Sequence, residues 1–275
     1  MPAAHVKPLV IPVFIPHAGC PHQCAFCNQS ILTRHLPDIV DVKIIHHTIH
    51  KYLQYRNRRK PVELAFFGGN FLGLPQADVT RLLETVQPYI YEKKIDGIRF
   101  STRPDTITAA HLEQIRQLNV HAVELGVQSM DDRVLQCSRR GHTSEDTVRA
   151  IDLLKKASIK TGVQVMVGLP GDTEELALKS TTMLIRLAPD FARIYPLVVL
   201  NGSLVAKWFQ QGRYQPLSLE SAVRQARQMY QMFTAANIRV IRMGLQSSDL
   251  MEDDLQVLAG PWHPAFGHLV LSAVM

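Results

Sequence analysis

Seven short apolar runs, rich in β-branched residues, recur along the chain with longer segments between them. Continuous apolar runs bounded by turn residues are typical of strands buried on both faces. Strands that alternate with helices build parallel sheets, so the rhythm predicts repeated strand–helix units. The runs are LVIPVFI (9–15), VELAFF (62–67), GIRFST (97–102), HAVELGV (121–127), TGVQVMVGL (161–169), ARIYPLVVL (192–200) and IRVIRM (238–243).

Between these runs, apolar residues return every three or four positions, which predicts amphipathic helices. The segment 218–236 is the longest of them. Two polar pairs, Thr143 with Asp146 and Asp172 with Glu175, have the spacing of side chains that cap a first helical turn. The predicted apolar stripes are Ile44, Ile45, Ile49 and Leu53; Val79, Leu82, Leu83 and Val86; Leu112, Ile115 and Leu118; Val148, Ile151 and Leu154; and Val223, Ala226, Tyr230 and Phe233.

The chain is long enough for one large core, with 275 residues of which 46% are hydrophobic. Six or seven parallel strands fall short of a closed barrel, so we predict an α/β fold, a partial (β/α)6-type open TIM-like barrel. Functional residues of such barrels lie at the C-terminal ends of the strands and in the loops that follow. We expect a core domain over 1–244 and a C-terminal extension over 245–275, which either is truncated or docks on the body.

That extension carries Trp262, His263 and Phe266, which either pack as an apolar tail or face a substrate.

Part of the net charge of +6 is concentrated in two basic clusters, QYRNRRK (54–60) and CSRRGH (137–142). Such clusters suit an anionic partner, including RNA, or form a solvated positive face. No apolar run is long enough to span a membrane.

Three of the four cysteines, Cys20, Cys24 and Cys27, lie within eight positions directly after the first predicted strand. They are too crowded to act as disulfide staples for a core of this size, so a reducing, cytoplasmic compartment fits best. Thiolates so close in one loop can converge on a metal centre. Zinc would need a fourth ligand such as His17 or His22, whereas a [4Fe–4S] cluster held by three cysteines would keep one open iron.

The fourth cysteine, Cys137, follows the fourth strand in VLQCSRRGH. We expect it to be a small buried residue of a helix rather than a metal ligand. The stretch HAGC (17–20) also resembles a lipoprotein cleavage site. The apolar run before it is short and interrupted by Pro12, which disfavours that interpretation.

The C-x3-C-x2-C spacing, with Phe26 before the third cysteine and a strand before the first, resembles the radical S-adenosylmethionine (SAM) superfamily. The resemblance implies that Cys20, Cys24 and Cys27 hold a [4Fe–4S] cluster whose fourth iron is chelated by SAM. It also implies that one electron from the cluster breaks the S–C5′ bond of SAM. The resulting 5′-deoxyadenosyl radical then abstracts hydrogen from a substrate.

Further segments resemble the SAM-binding motifs of that family. FFGGNF resembles the glycine motif that receives the methionine amino group, because Gly68 and Gly69 let the backbone approach a ligand. Asn70 follows them where relatives often carry Ser, Thr or Glu. The resemblance implies SAM contacts by Phe26 and the Leu169–Pro170 turn at the adenine, by Gln128 at the ribose, by Arg140 at the carboxylate, and by Arg103. No catalytic residue is assigned.

The phrases ELGVQSMDDRVL, RRGHT, VGLPGDT and ARIYPLVVLNGSLVAKW resemble the Elongator-related radical SAM proteins, in particular bacterial stand-alone members, over most of residues 10–240. The cysteine spacing is narrower than in the catalytic Elongator subunit. The resemblance implies a cytoplasmic enzyme that modifies tRNA or other RNA and is reduced by a flavodoxin- or ferredoxin-type electron donor. Two alternatives stay open: an iron–sulfur protein like coproporphyrinogen oxidase or a haem chaperone, and a non-catalytic metal-binding, RNA-binding module.

Overall fold

The computed structural model describes residues 8–15, 19–28, 41–245 and 256–272. Within them, seven strands form one curled parallel sheet in chain order, which confirms the predicted open barrel. Two further short strands, Val199–Leu200 and Val257–Ala259, pair antiparallel with each other. The strands are β1 (Leu9–Ile15), β2 (Val62–Gly68), β3 (Gly97–Thr102), β4 (Val120–Gln128), β5 (Lys160–Val167), β6 (Phe191–Pro196), β7 (Val199–Leu200), β8 (Arg239–Met243) and β9 (Val257–Ala259).

Helices connect the strands and cover one face of the sheet. Their bounds are α1 (Val42–Leu53), α2 (Gln76–Glu84), α3 (Gln87–Tyr91), α4 (Ala109–Ile115), α5 (Asp132–Cys137), α6 (Ser144–Lys156), α7 (Glu174–Arg186), α8 (Leu204–Gln210), α9 (Leu219–Ala235) and α10 (Phe266–Ser272). In β1, Ile11 and Ile15 are buried in the same core as Ile45 and Ile49 of α1. Phe14, on the other face of β1, is 50% exposed, so that face opens into the half-barrel. No helix among the described residues has the length and apolarity to cross a membrane.

The apolar run 192–200 is not one strand, contrary to the sequence prediction. β6 ends at Pro196, and the chain resumes as β7 in the second sheet, against β9. Proline lacks the N–H that would continue a ladder. The fifth strand also stops before the predicted end, because Gly168 adopts a φ of +80° and turns the chain away after Val167.

Two predicted stripe residues, Ile44 and Val148, lie on helices but are exposed, so the buried stripes are narrower than predicted. Thr143 and Asp146 form the predicted capping box at the start of α6. The second predicted cap is wrong by one position, because the Thr173 hydroxyl accepts the Leu176 N–H at 3.2 Å. Asp172 instead accepts the N–H of Thr173 at 2.9 Å.

Cys137 is the last residue of α5, as the helix prediction required, but it is exposed rather than buried. A Cβ built on Gly171 would lie 3.2 Å from the Cys137 Sγ, so the thiol packs beside the loop after β5.

In the C-terminal part, Phe266 and Val270 of α10 join the main core. The division of the chain at residue 244 stays a prediction, and His17 lies outside the described residues.

We predict that the titration of Asp172 makes the free energy of unfolding depend on pH. Burial raises the pKa of its carboxyl to about 7, the Thr173 N–H opposes this rise, and the charge of Asp131 adds to it. Because the pKa of the unfolded chain is near 3.9, the folded protein holds an extra proton between about pH 4 and pH 7. The contribution of Asp172 to stability is therefore complete below that window and lost as the pH rises through it.

Asp172→Asn keeps the oxygen that accepts the Thr173 N–H but cannot ionise. Relative to this variant, the wild type should lose at least about 1 kcal/mol of unfolding free energy between roughly pH 5 and pH 8. Urea unfolding of both proteins at the two pH values measures this difference. An equal difference between the proteins at both pH values would contradict the raised pKa.

Candidate active site

Every strand of the parallel sheet ends at the same edge, which we call the carboxyl edge, and the cysteine loop (19–28) follows β1 there. Two backbone hydrogen bonds hold the loop at its middle. The Ala25 N–H donates to the Ser138 carbonyl at 2.9 Å, and the Ala25 carbonyl accepts from the Val205 N–H at 2.8 Å. The loop is therefore clamped between the end of α5 and the start of α8.

A third attachment of the loop is the fully buried side chain of Asn70, directly after Gly68 and Gly69. Its amide donates to the Gly19 carbonyl at 2.8 Å. Its oxygen accepts from the Thr102 hydroxyl at 2.6 Å and the Arg103 N–H at 3.0 Å, both at the end of β3. Asn70 thus ties the cysteine loop to β2 and β3 at once. The sequence drew attention to this position only as a departure from the family motif.

Gly19 and Gly68 permit this close packing. Gly19 has a φ of +81°, and a Cβ there would lie 2.4 Å from the Asn70 carbonyl oxygen. Gly68 has a φ of +110°, and a Cβ there would lie 2.2 Å from the Ile15 carbonyl oxygen. The Gly69 N–H donates to that same oxygen at 3.3 Å. Close approach of β1 is therefore a sufficient reason for glycine at position 68.

Two buried guanidinium groups, those of Arg103 and Arg140, lie beside the thiols. Arg140 donates to the Cys24 Sγ at 3.0 Å and to the Gly126 carbonyl at 2.5 Å. Burial raises the pKa of the Cys20 thiol, and Cys24 adds to the rise, whereas Arg103 and Arg140 oppose it. Positive charge next to cysteine favours the thiolate, which is the form that binds metals.

The arginines differ in their partners. Arg103 forms a bidentate pair with Asp105, with both N–O distances 2.9 Å. Arg140 has no carboxylate partner among the described residues, and its Nε is buried without a hydrogen bond there. A buried cation without an anion is costly. The surroundings of Arg140 therefore suit an anionic ligand.

His142, two residues further on, is a buried imidazole that the sequence interpretation did not single out. Burial, Arg140 and Arg103 together lower its pKa to about 3, so the ring is neutral at physiological pH. Its Nε2 lies 3.2 Å from the Val127 carbonyl and donates to it, which fixes the position of the proton. Nδ1 is then a buried acceptor with no partner within the described part of the chain.

The other predicted SAM contacts lie in two places at the same edge. Gln128, at the end of β4, is buried with a φ of +69°, and its side-chain oxygen accepts from Gln164 at 3.4 Å. Phe26 and Leu169 pack in one apolar cluster that also contains Ala25. Pro170 is buried next to Leu169. The structure thus separates a polar region around Arg140 from an apolar region around Phe26.

The donor types in the loop fit an iron–sulfur cluster, since cysteine thiolates hold such clusters and hydrogen bonds to the sulfurs tune their potential. Cys24 is buried, and Cys20 and Cys27 are half-buried. In this arrangement, no three Cys, His, Asp or Glu side chains of the described residues converge closely enough to hold a metal ion. The fit therefore rests on the donor set and its electrostatics.

The face of the sheet away from the helices is polar, which the apolar strand runs did not predict. Arg193 of β6 forms a bidentate pair with Glu124 of β4, with N–O distances of 2.6 and 3.0 Å. Its guanidinium also lies 5.2 Å from the centre of the Phe67 ring. Arg99 of β3 lies between Glu63 and Glu124, at 3.5 and 3.7 Å. The protein is thus an open α/β half-barrel with a polar interior and a cysteine loop at its carboxyl edge.

Comparison with known proteins identifies the family. Residues 14–180 match the family model described as the radical SAM superfamily, and residues 189–275 match the radical SAM C-terminal domain. The chain belongs to the radical SAM superfamily. The cofactors of this enzyme family are a [4Fe–4S] cluster and SAM.

Individual relatives agree with the Elongator-related branch. A tRNA uridine(34) acetyltransferase of Dehalococcoides mccartyi (strain CBDB1) is 28% identical over 233 residues, 72% of this chain and 50% of that protein. The protein YhcC of Escherichia coli K12 is 26% identical over 214 residues, 75% of this chain and 66% of that one. The structure of Elp3 from Methanocaldococcus infernus has the same fold, with a TM-score of 0.73 and 21% identity over 97% of this chain and 62% of that one. The chain thus spans about half the length of the acetyltransferase it matches.

We predict that Asn70→Ala loosens the cysteine loop. The substitution leaves the Gly19 carbonyl, the Thr102 hydroxyl and the Arg103 N–H without their partner, which should cost about 2–4 kcal/mol of unfolding free energy. Alkylation of Cys20 in protein without cluster should become several-fold faster, as measured by mass spectrometry.

Thr106→Val is the matched control, because Thr106 donates to Asn70 at 3.1 Å without contacting the loop. It should cost only about 1 kcal/mol and leave the alkylation rate of Cys20 unchanged. If both variants alkylate at the wild-type rate, the Asn70 bond to Gly19 does not hold the loop.

Proposed function

We propose that this chain is a radical SAM enzyme that modifies tRNA or another RNA. The observation that carries the proposal is the position of the cysteine loop, at the carboxyl edge of a radical SAM half-barrel with Arg140 against Cys24. We assign the cluster to Cys20, Cys24 and Cys27. When bound, the cluster and SAM supply a 5′-deoxyadenosyl radical that abstracts hydrogen from the substrate.

The surrounding residues suit the binding of SAM. Arg140 is a buried cation without a carboxylate partner among the described residues, so we assign it to the SAM carboxylate. Gly69 leaves room for the methionine end, and Gln128 offers a buried amide for the ribose. Phe26 and the Leu169–Pro170 turn supply apolar surface for the adenine. We also propose Arg103 as a polar contact of SAM, but its charge is already paired with Asp105, so it is less suited than Arg140 to bind the carboxylate.

The relatives favour RNA as the substrate over the haem-related alternative. A protein named for the acetylation of tRNA uridine 34 matches 72% of this chain. The family match also disfavours a non-catalytic zinc module. The reaction consumes one electron per radical, so we infer an external donor of the flavodoxin or ferredoxin type. We place the enzyme in the cytoplasm, together with tRNA.

The cluster assignment is tested by anaerobic reconstitution with iron and sulfide. The wild type should bind about four irons, cleave SAM to 5′-deoxyadenosine when reduced, and alter a nucleoside of total tRNA detected by mass spectrometry. Cys20→Ala, Cys24→Ala and Cys27→Ala should each lose the cluster. Cys137→Ala is the control and should keep it, because this thiol is exposed at the end of α5.

Full iron content in all three loop variants would overturn the assignment. If the protein binds zinc instead of iron, the alternative of a non-catalytic metal-binding, RNA-binding module is favoured. If the protein cleaves SAM but changes no nucleoside of tRNA, the proposed radical chemistry is supported and the proposed tRNA substrate is wrong.

The SAM contacts are tested with Gly69→Val and Arg140→Ala in cluster-loaded protein. A branched side chain at position 69 should block the methionine end. Loss of the Arg140 pair should cost roughly 1.5–3 kcal/mol, so the affinity for SAM should fall about ten- to a hundredfold. Iron content is measured in parallel, since Arg140 also contacts Cys24. Unchanged SAM affinity in both variants would refute these contacts without touching the cluster assignment.

A further inference from the structure

The strongest feature outside the site is a basic surface at the opposite, amino edge of the sheet. It consists of residues 51–60, from the last turn of α1 to the start of β2, and residues 91–96, from the last residue of α3 to the start of β3, and we call it the basic rim. Both segments lead into the amino ends of neighbouring strands. We propose that the basic rim is a docking surface for structured RNA, remote from the cysteine loop.

Several contacts join the two segments into one surface. The Val62 N–H donates to the Asp96 carboxylate at 2.7 Å, and the Asp96 N–H donates to the Val62 carbonyl at 2.7 Å. On the helices before them, His46 Nδ1 lies 2.7 Å from the Tyr89 hydroxyl, and the His50 ring meets the Tyr89 ring edge-on. The segments are about thirty residues apart in sequence, so the sequence alone shows only the first of the two clusters.

The rim concentrates the charge of the molecule. It contains seven lysines and arginines against Glu92 and Asp96, a local charge of +5, whereas the whole chain carries +6. Glu92 already pairs with Lys94 at 2.6 Å, and Asp96 bonds to the backbone of β2. Such concentration on one edge is the electrostatic pattern that binds a phosphate backbone.

The arginines of the rim are also available. Arg58, Arg59 and Lys60 are exposed and form no ion pair within the described residues. Some exposed cations elsewhere do have carboxylate partners, as Arg116 does with Glu113 and Lys156 with Asp152. An unpaired cation can give its full charge to a phosphate.

Two tyrosines stand among these charges. Tyr91 is 88% exposed and Tyr55 is 58% exposed, and they are two of the six large apolar side chains that the described residues expose. Aromatic rings between basic side chains are typical of surfaces on which nucleic-acid bases stack. A membrane-binding surface would instead present Leu, Phe or Trp for insertion, and the described part of the rim exposes none of these.

The distance between the two edges restricts the RNA. The strands of the parallel sheet have five to nine residues, or about 16–30 Å at 3.3 Å per residue. An RNA that touches the rim while one base reaches the carboxyl edge must span at least this distance, and we take a folded tRNA, the substrate class of the proposed function, as the occupant. This last step rests on the proposed function, whereas the rim itself does not.

The test compares Arg58→Ala/Arg59→Ala with Arg116→Ala/Lys156→Ala in cluster-loaded protein. Each double variant removes two exposed positive charges. Binding of fluorescently labelled total tRNA is measured by anisotropy at several salt concentrations. The rim variant should bind on the order of tenfold more weakly, and the slope of log affinity against log salt should fall by about two. The control variant should bind as the wild type does.

Tyr91→Ser should weaken the binding of tRNA several-fold without changing the salt slope.

The proposal would be overturned if the two double variants lost tRNA affinity equally, or if the wild type bound no tRNA. Wild type that binds phosphatidylserine vesicles and not tRNA would show a membrane surface instead. Cleavage of SAM is measured in the same samples and should be equal in all of them. If the rim variant binds tRNA as the wild type does, the rim is not an RNA-docking surface, but the proposed function still stands. If the wild type does not cleave SAM, the proposed function is wrong, but the rim can still bind RNA.

Discussion

The hydrogen bonds of the Asn70 side chain determine where the cysteine loop lies. One amide group reaches the Gly19 carbonyl on one side and the end of β3 on the other. Because Asn70 is fully buried, neither its oxygen nor its N–H groups can exchange these partners for water, so a displaced loop would leave polar groups unsatisfied. The loop is thereby tied to the ends of β2 and β3, in addition to its backbone hydrogen bonds with Ser138 and Val205. The glycines at 19 and 68 let the backbones come close enough for this.

Electrostatics then distinguish the interior of the half-barrel from its edge. Inside, Arg99 and Arg193 are paired with Glu63 and Glu124, so their charges are balanced within the chain. At the carboxyl edge, Arg140 is buried against a thiol and a carbonyl instead. A balanced pair needs no further counter-charge, whereas a buried cation with neutral partners is best stabilised by a bound anion. This contrast is the physical reason to assign ligand binding to the edge.

The sequence predicted the strands well because strands buried on both faces carry a continuous apolar signal. It failed where a single residue decides the local structure, as Pro196 does in ending β6 and as Thr173 does in capping α7. The candidate cysteines and Arg140 could be named from motifs. Their contact could not be derived from spacing, because Cys24 and Arg140 are 116 positions apart. Likewise, the pair of Glu124 with Arg193 depends on the curvature of the sheet, which no local pattern records.

The two edges of the sheet follow opposite physical demands. Chemistry at the carboxyl edge needs buried charges and few competing waters, and there Arg103 and Arg140 are buried and His142 is neutral. Those same features make that edge a poor place for the many exposed cations that a phosphate backbone requires. The amino edge has no such restriction, because its loops only lead into strands. A parallel half-barrel can therefore carry a cluster of positive charge there without disturbing the pKa values at the reactive edge, since exposed charges separated by the length of a strand are screened by salt over about 8–10 Å.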